Sequence, residues 1–514
     1  VVGCGSIGLT AVRWARERGL RVAAFDRSAG CGGVWRAGPP GSHSPAYDSL
    51  FTNSSQRTMQ LSDFPFPFKT SGPFPRHDEI LRYYEAYAEY FDLNRHVRWN
   101  TEVFDVRKAD GAKLWTVRAR DCATGRELPP VMADFVMVCT GKLWDPSLPD
   151  WASAPAKRAA LGDRVVVHSN EYRNTAPFRG GDVLVVGVGN SALDVALELA
   201  QDPQVGQVFM SARRGTTVIP TQDSSGHPHD LFLTSRFFQY KLPSKLRMLY
   251  MYRMTKAANE AFAKAGLPPP PGGLFSPQSP GSNLKQAEAF MKELNRGRIR
   301  IISGFAGETT ADGHLVLTDG TVLDAVKGII ACTGYKTGLN RTLGPSLAAE
   351  IMREVPADEK SARPVPYLHL YKRTLYPADP SLFLLGFITS FGNEACVGEM
   401  QARWATAMAA GQIPTPSQAE LAQGASQFAA NVRRLRPSVA EFVRFIPFVD
   451  DLAADLGCSP PEPLEVLKSR WFSPSAWRLA YNLTFGPVIQ SQFRLRGRDA
   501  DPSRAENILV RSKL

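Results

Sequence analysis

Gly3, Gly5 and Gly8 stand in VVGCGSIGLTAV at the spacing of a turn that brings backbone N–H groups against a pyrophosphate at the start of a helix. The pattern returns in DVLVVGVGNSALDVALELA (182–200). There Gly187 and Gly189 take the first two places and Ala192 the third, where only a small residue is required. Asp26 closes the apolar run RVAAFD, where a carboxylate accepts from ribose hydroxyls. The equivalent run in the second copy, QVFMSARRG, ends without an acid and carries Ser211, Arg213 and Arg214. A carboxylate there would repel a 2′-phosphate and arginines pair with one, so the second site reads as taking NADP(H) over NAD(H). The alternative is a solvated arginine pair.

Each turn needs a strand before it and a helix after it. The second copy has both. In the first, LTAVRWARERGL reads as a helix closed by Gly19, but only Val1 and Val2 precede Gly3, so they are expected to be the tail of a strand whose start is missing. The fold class that follows is α/β, with two dinucleotide-binding (Rossmann-like) domains. ADFVMVCTGK (133–142) and VKGIIACTGYK (326–336) are both apolar strands ending in Cys-Thr-Gly, one on each side of the second nucleotide unit. They read as the strands by which the chain leaves the first domain and returns to it. The expected layout is a first dinucleotide-binding domain in two parts, 1–165 and 326–514 with a C-terminal extension. An NADP-binding domain, 166–325, is inserted between them and carries its own insertion at about 222–285. Within that insertion the Pro/Gly/Ser stretch 268–282 reads as a loop or cover.

Composition narrows the class. The chain has 514 residues, 44% hydrophobic and 21% charged, with a mean hydropathy of −0.20. No uncharged apolar run is long enough to span a bilayer, and Arg13, Arg16 and Glu17 break up the first apolar run as no secretory leader would. The net charge of +11 is scattered, and its densest groups (Arg433-Arg434-Leu435-Arg436 and Arg296 to Arg300) are short, which argues against nucleic acid as a partner. Seven cysteines, an odd count without Cys-x-x-Cys, make neither a disulfide framework nor a zinc site and fit a reducing compartment. The final Ser512-Lys513-Leu514 matches a peroxisomal import address. The expectation is a peroxisomal matrix enzyme bound by the import receptor if the source is a eukaryote, and a cytoplasmic one otherwise.

Longer stretches resemble the flavin-containing monooxygenase family, the dimethylaniline monooxygenase-like class B flavoproteins. DRSAGCGGVW places Gly32, Gly33 and Trp35 after Asp26, similar to that family's acidic residue followed by Gly-Gly-x-Trp. FTNSSQRTMQLSDFPFP (51–67) resembles its active-site segment, and FPRHDEILRYYEAYAEYFDL (74–93) the helix that follows. HSNEY (168–172) resembles half of its linker fingerprint. GNSALD, ACTGY, EMQARW (399–404) and FGPVIQSQFRLRG (485–497) are similar to later landmarks. Two positions depart: Asp26 stands where the family has Glu, and Gly162 and Arg164 stand where the fingerprint has an aromatic and a glycine.

The resemblance implies FAD, NADP(H) and O2, with oxygen passed from a C4a-hydroperoxyflavin to a soft nucleophile, an amine nitrogen or a sulfide sulfur. It implies cofactor contacts at Gly3, Gly5, Gly8, Asp26, Gly33, Val34, Trp35, Thr52, Asn53 and Ser54, and at Gly187, Gly189, Asn190, Ser191, Arg213 and Arg214. Asn53 is the expected catalytic side chain, since an amide can hydrogen-bond without discharging an acid proton. Trp35 reads equally as a flavin neighbour or as core. His168 reads as a structural group, and His227 and His229 of GHPHD as loop residues and not metal ligands. Baeyer–Villiger and N-hydroxylating monooxygenases share both nucleotide sites and remain the alternative. A disulfide reductase stands further off, because Cys31 has no neighbouring redox partner, and so does a flavin-binding scaffold without oxygenation, because both nucleotide signatures and Asn53 are retained.

Overall fold

The computed structural model describes residues 1–39, 44–270, 273–275, 281–356, 364–390, 392, 394–435 and 442–511. Ser512-Lys513-Leu514 and parts of the 268–282 stretch lie outside the described residues. Val2 stands in the middle of the first sheet. It bridges Phe25 on one side and Val138 on the other, both in parallel. Outside these, Ala24–Phe25 pairs with Val97–Arg98, and Val136–Val138 with Leu382–Leu384. Residues more than 350 positions apart in the chain thus share one sheet.

The second sheet has five parallel strands in the order Ile299–Ile302, Val208–Ser211, Asp182–Val186, Val326–Ala331, Val165–His168. This corrects the layout expected from the sequence. The strand 326–331 does not open the returning part of the first domain; it is internal to the second sheet, and the chain returns after Ala331. Its residues Gly328, Ile329, Ile330 and Ala331 are buried, as a parallel strand covered on both faces requires. Between Val208–Ser211 and Ile299–Ile302 the insertion adds a two-strand pair, Val218–Pro220 with Ser282–Leu284, and the long helix Ser244–Lys264. That helix packs through Phe262 on Phe290 of the crossover helix Ala287–Asn295, ring centroids 5.0 Å apart. Among the described residues no helix is long and apolar enough to cross a membrane.

The first domain is locked by a buried charge cluster around Trp14, on the helix Ser6–Glu17. The guanidiniums of Arg13, Arg18, Arg403 and Arg494 lie 4.7, 5.2, 5.1 and 5.0 Å from its ring. Its indole N–H donates to Glu399 at 3.3 Å. Asp63 takes both Nη atoms of Arg13 at 2.7 and 2.5 Å and Arg494 at 3.2 Å. Asp499 accepts from Arg18 at 2.8 Å and from Arg403 at 3.3 Å. The Asp-Phe-Pro-Phe-Pro, EMQARW and FRLRG stretches singled out in the sequence therefore meet in one place.

Burial alone would raise the Asp63 carboxyl, but its hydrogen-bonded Arg13 and the nearby Arg494 hold it below its usual range. A carboxyl depressed in the fold contributes stability above its unfolded pKa, about 3.9, and loses it as pH falls through the lower folded value. Asp63→Asn leaves two buried guanidiniums without their counter-charge. The expected loss is about 3–5 kcal/mol at pH 7, read from urea denaturation. The gap between variant and parent should close as pH drops below about 4.

Candidate functional site

The two glycine turns are built alike. Gly3 has φ +89°, and a Cβ there would lie 2.7 Å from the carbonyl oxygen of Cys139. Gly187 has φ +130°, and a Cβ there would lie 2.6 Å from the carbonyl oxygen of Cys332. Each Cys is the first residue of a Cys-Thr-Gly, and each is held in its sheet. Cys139 N donates to Val2 O at 2.7 Å and Cys332 N to Val186 O at 3.0 Å. Only glycine fits such a close approach at positive φ. Gly5 and Gly189 then start the helices Ser6–Glu17 and Asn190–Gln201, neither with a side-chain cap nor an acid in the first turn. Their first N–H groups stay open to an anion.

The first turn faces a cavity of about 440 Å³ lined by Gly3, Gly5, Asp26, Gly33, Val34 and Thr140, among others. Asp26 accepts from Cys4 N at 2.6 Å and Ser28 N at 2.8 Å. Burial pushes its carboxyl up, with these two amides opposing. Each of its oxygens keeps a lone pair for a ribose hydroxyl. The buried Thr140 Oγ1 has no partner among the described residues. An uncapped helix end, a carboxylate and an orphaned hydroxyl fit a flavin dinucleotide. Two residues expected as contacts stand outside this lining. Gly8 does not line the cavity; it lets the helix pack on the turn, since a Cβ there would meet Gly3 O at 1.9 Å. Trp35 also stands outside the lining and packs against the core that contains Tyr83, Tyr84 and Ile80.

Thr52, Asn53 and Ser54 lie outside that cavity's lining as well. Thr52 Oγ1 closes its own turn by donating to Ser54 O at 2.8 Å. Asn53 is half-buried, and its amide makes no hydrogen bond among the described residues. The segment around it is fastened by carboxylates of the second domain. Asp230 Oδ2 accepts from Ser55 N at 2.7 Å and Thr58 Oγ1 at 2.8 Å, while its buried Oδ1 has no partner among the described residues. Asp194 accepts from the Tyr47 hydroxyl at 2.8 Å and Glu198 from Ser49 at 2.7 Å. Burial pushes the Asp194 carboxyl up to about 6. Sequence reasoning missed all three acids. In GHPHD it weighed the histidines, but it is Asp230 that makes the contact, and no metal-ligand cluster exists among the described residues.

At the second site Arg213 and Arg214 are exposed. Arg213 runs across Gly304 and lines a cavity of about 580 Å³ with Ser303, Thr318 and Asp319. Two other residues there are committed to the protein. Ser211 Oγ donates to Ser303 O at 3.1 Å and accepts from Phe305 N, and Asn190 Oδ1 accepts from Asn283 N at 2.8 Å. Ser191 is half-buried beside Asn190. An uncapped helix end with two exposed arginines beyond the neighbouring strand, neither in an ion pair among the described residues, fits a 2′-phosphorylated dinucleotide.

The linker departures are also explained. Arg164 donates to the carbonyls of Val326, Leu161 and Gly313 at 2.8–2.9 Å, so it fastens the linker where the fingerprint has glycine. His168 is structural: its ring meets Gly334 O at 3.0 Å and Asn170 at 3.2 Å, and burial lowers its pKa, which keeps it neutral. All seven cysteines are free, and burial pushes the Cys31 thiol up to about 11, unlike a redox-active pair.

The two turns are separable by mutation. Gly3→Ala should yield protein without flavin absorbance, because the clash is with backbone held in a sheet. Gly187→Ala should keep the flavin colour and lose NADPH-driven bleaching of it. Both are read in one spectrophotometric titration.

Comparison with known proteins agrees with this geometry. The sequence profile of the Flavin-binding monooxygenase-like family matches residues 1–512. The chain is 31% identical over 510 residues to dimethylaniline monooxygenase [N-oxide-forming] 4 of Oryctolagus cuniculus, covering 97% of this chain and 84% of that one. It is 28% identical over 523 residues to flavin-containing monooxygenase 5 of the same species, covering 99% and 91%. Among solved structures it is similar in fold to S-allyl-L-cysteine S-oxygenase of Allium sativum, with a TM-score of 0.61, 22% identity and 93% of both chains covered. It is likewise similar to ε-caprolactone-bound cyclohexanone monooxygenase, with a TM-score of 0.62, 18% identity and 88% and 96% covered. With both nucleotide turns in place and a family match across almost its whole length, the chain belongs to the flavin-binding monooxygenase-like family.

Proposed function

We propose that this flavin monooxygenase oxygenates a soft nucleophile, an amine nitrogen or a sulfide sulfur, at the expense of NADPH and O2, with Asn53 at the reaction site. The observation that carries the role of Asn53 is its unbonded amide, on a segment clamped between the two nucleotide domains. The preference for nitrogen over a ketone carbon rests on the relatives named dimethylaniline monooxygenase [N-oxide-forming], matched along 97% of this chain, and sulfur is included as a nucleophile of the same soft class.

FAD, when bound, supplies the redox chemistry that activates O2. The protein's own part is to bind, orient and exclude water. N–H groups at Gly5 and Ser6 would hold the flavin pyrophosphate, and Asp26 the ribose. Those at Gly189 and Asn190 would hold the nicotinamide dinucleotide, with Arg213 and Arg214 on its 2′-phosphate. The Asn53 amide can donate and accept hydrogen bonds beside the reacting atoms, but it has no acid proton to release at neutral pH. That is the property needed where stray protonation would waste the reducing equivalents as H2O2. The clamp of Asp194, Glu198 and Asp230 fastens the residues on either side of Asn53.

Three measurements test the reading. Flavin bleaching by NADPH is followed with tertiary amines, thioethers and cyclic ketones as acceptors. Oxide products from the first two support it, and ester products from the ketones alone would overturn it in favour of Baeyer–Villiger chemistry. Replacing Arg213 and Arg214 with Ala should raise the KM for NADPH about tenfold to a hundredfold, by loss of charge-assisted hydrogen bonds, and leave NADH within about twofold. Asn53→Leu should retain FAD and NADPH oxidation but shift the product to H2O2. Full oxygenation by that variant would remove Asn53 from the site.

A further inference from the structure

Lys285 follows the short strand Ser282–Leu284, which is built against the second glycine turn. Ser282 Oγ donates to Val188 O at 2.8 Å and Asn283 N to Asn190 Oδ1 at 2.8 Å. From there Lys285 reaches the segment that carries Asn53. Its Nζ lies 3.0 Å from the centroid of the Phe51 ring and 5.8 Å from that of Phe74. Among the described residues its ammonium makes no hydrogen bond and no ion pair. A ring face stabilises a cation but accepts none of its three N–H donors in the ordinary sense.

The charged groups facing Lys285 are Asp194, Arg76 and Glu79. None forms an ion pair with it among the described residues. Asp194 accepts from Tyr47 at 2.8 Å. Glu79 is taken by Ser71 and by the backbone N–H of Arg76. Arg76 is a second cation, 5.7 Å from the same Phe51 ring. Partial burial pushes the Lys285 ammonium down to about 8, with Asp194 opposing. A half-buried cation therefore stands with no ion-pair partner among the described residues, between the second glycine turn and the segment that carries Asn53.

We propose that Lys285 is an anion-binding group of the reaction site, taking either a carboxylate carried by the oxygenated substrate or a phosphate of the nicotinamide nucleotide. The carboxylate arm rests on the function proposed above. It would make the preferred nucleophile an anionic thioether or amine and not a simple cationic amine.

The test compares Lys285→Met and Lys285→Arg with the parent as FAD-loaded enzymes. The probes are NADP+, 3-(methylthio)propanoate and 3-(methylthio)propylamine. Binding is measured by calorimetry and turnover by NADPH oxidation. If the anion is the substrate's, Lys285→Met weakens the propanoate about tenfold or more and leaves the propylamine and NADP+ within about twofold. If it is the nucleotide's, NADP+ alone weakens to that extent. In either case Lys285→Arg restores binding, and the affected ligand's affinity in the parent falls as pH rises past about 8. Unchanged affinity for both NADP+ and the propanoate overturns the proposal. So does equal weakening of the acid and amine probes, which marks a packing effect. A parent enzyme that binds NADP+ but oxygenates neither thioether would overturn the substrate reading while the nucleotide arm still stands or falls on its own result.

Discussion

A backbone carbonyl pressed against a glycine is the contact on which both nucleotide sites depend. Cys139 and Cys332 each sit on the strand beside a glycine turn, and each points its carbonyl at the turn's first glycine. The carbonyl cannot yield, because its own residue is hydrogen-bonded to the strand that enters the turn. The turn must therefore stay tight, and a tight turn aims the next helix so that its free N–H groups face the cavity. The repeated Cys-Thr-Gly is thus not a duplicated catalytic motif. It is the second half of the nucleotide-binding device, supplied from a strand far along the chain.

The flavin turn has a further dependence. Its helix carries Arg13 and Trp14 and is followed by Arg18, and these three are held by Asp63, Glu399 and Asp499. Arg403 and Arg494 join the same cluster, so it contains four guanidiniums and three carboxylates. Buried charges are costly unless paired, and a buried excess of cations is costlier still. The Trp14 ring, with all four arginines within 5.2 Å, supplies the compensating negative face. Pieces from the beginning, the 60s, the 400s and the 490s of the chain are joined in this way, and none of them can shift without exposing a charge to the core.

Much of this was legible as spacing. The glycines, Asp26 and the arginines after the second turn are local patterns, and a local pattern can be read without a fold. What was not legible is partnership. The strand 326–331 is an equally apolar run whichever sheet it joins, so nothing in its residues assigns it to the second sheet. Trp35 follows a glycine pair that lines the cavity, yet its ring packs the opposite way, into the tyrosine-rich core. Asp194 stands inside a stretch already singled out, and Asp230 beside two histidines that drew attention. Their importance comes from Tyr47, Ser55 and Thr58, residues 147 to 175 positions away.

Those long-range contacts connect the two sites mechanically. The helix Asn190–Gln201 begins at the second glycine turn, and Asp194 and Glu198 lie one and two turns along it. The end that would hold the nicotinamide pyrophosphate and the side that holds Tyr47 and Ser49 belong to one rigid element. Asp230 fastens the same stretch of the first domain from the insertion. The segment that carries Asn53 is consequently tied to both domains, through Thr52 N to Pro75 O at 2.9 Å and Gln56 N to Pro73 O at 2.8 Å in the first, and through Asp194, Glu198 and Asp230 in the second. A shift of the helix Asn190–Gln201 is thereby passed to Tyr47 and Ser49, just ahead of the stretch that carries Asn53, so the two domains cannot move independently at this seam.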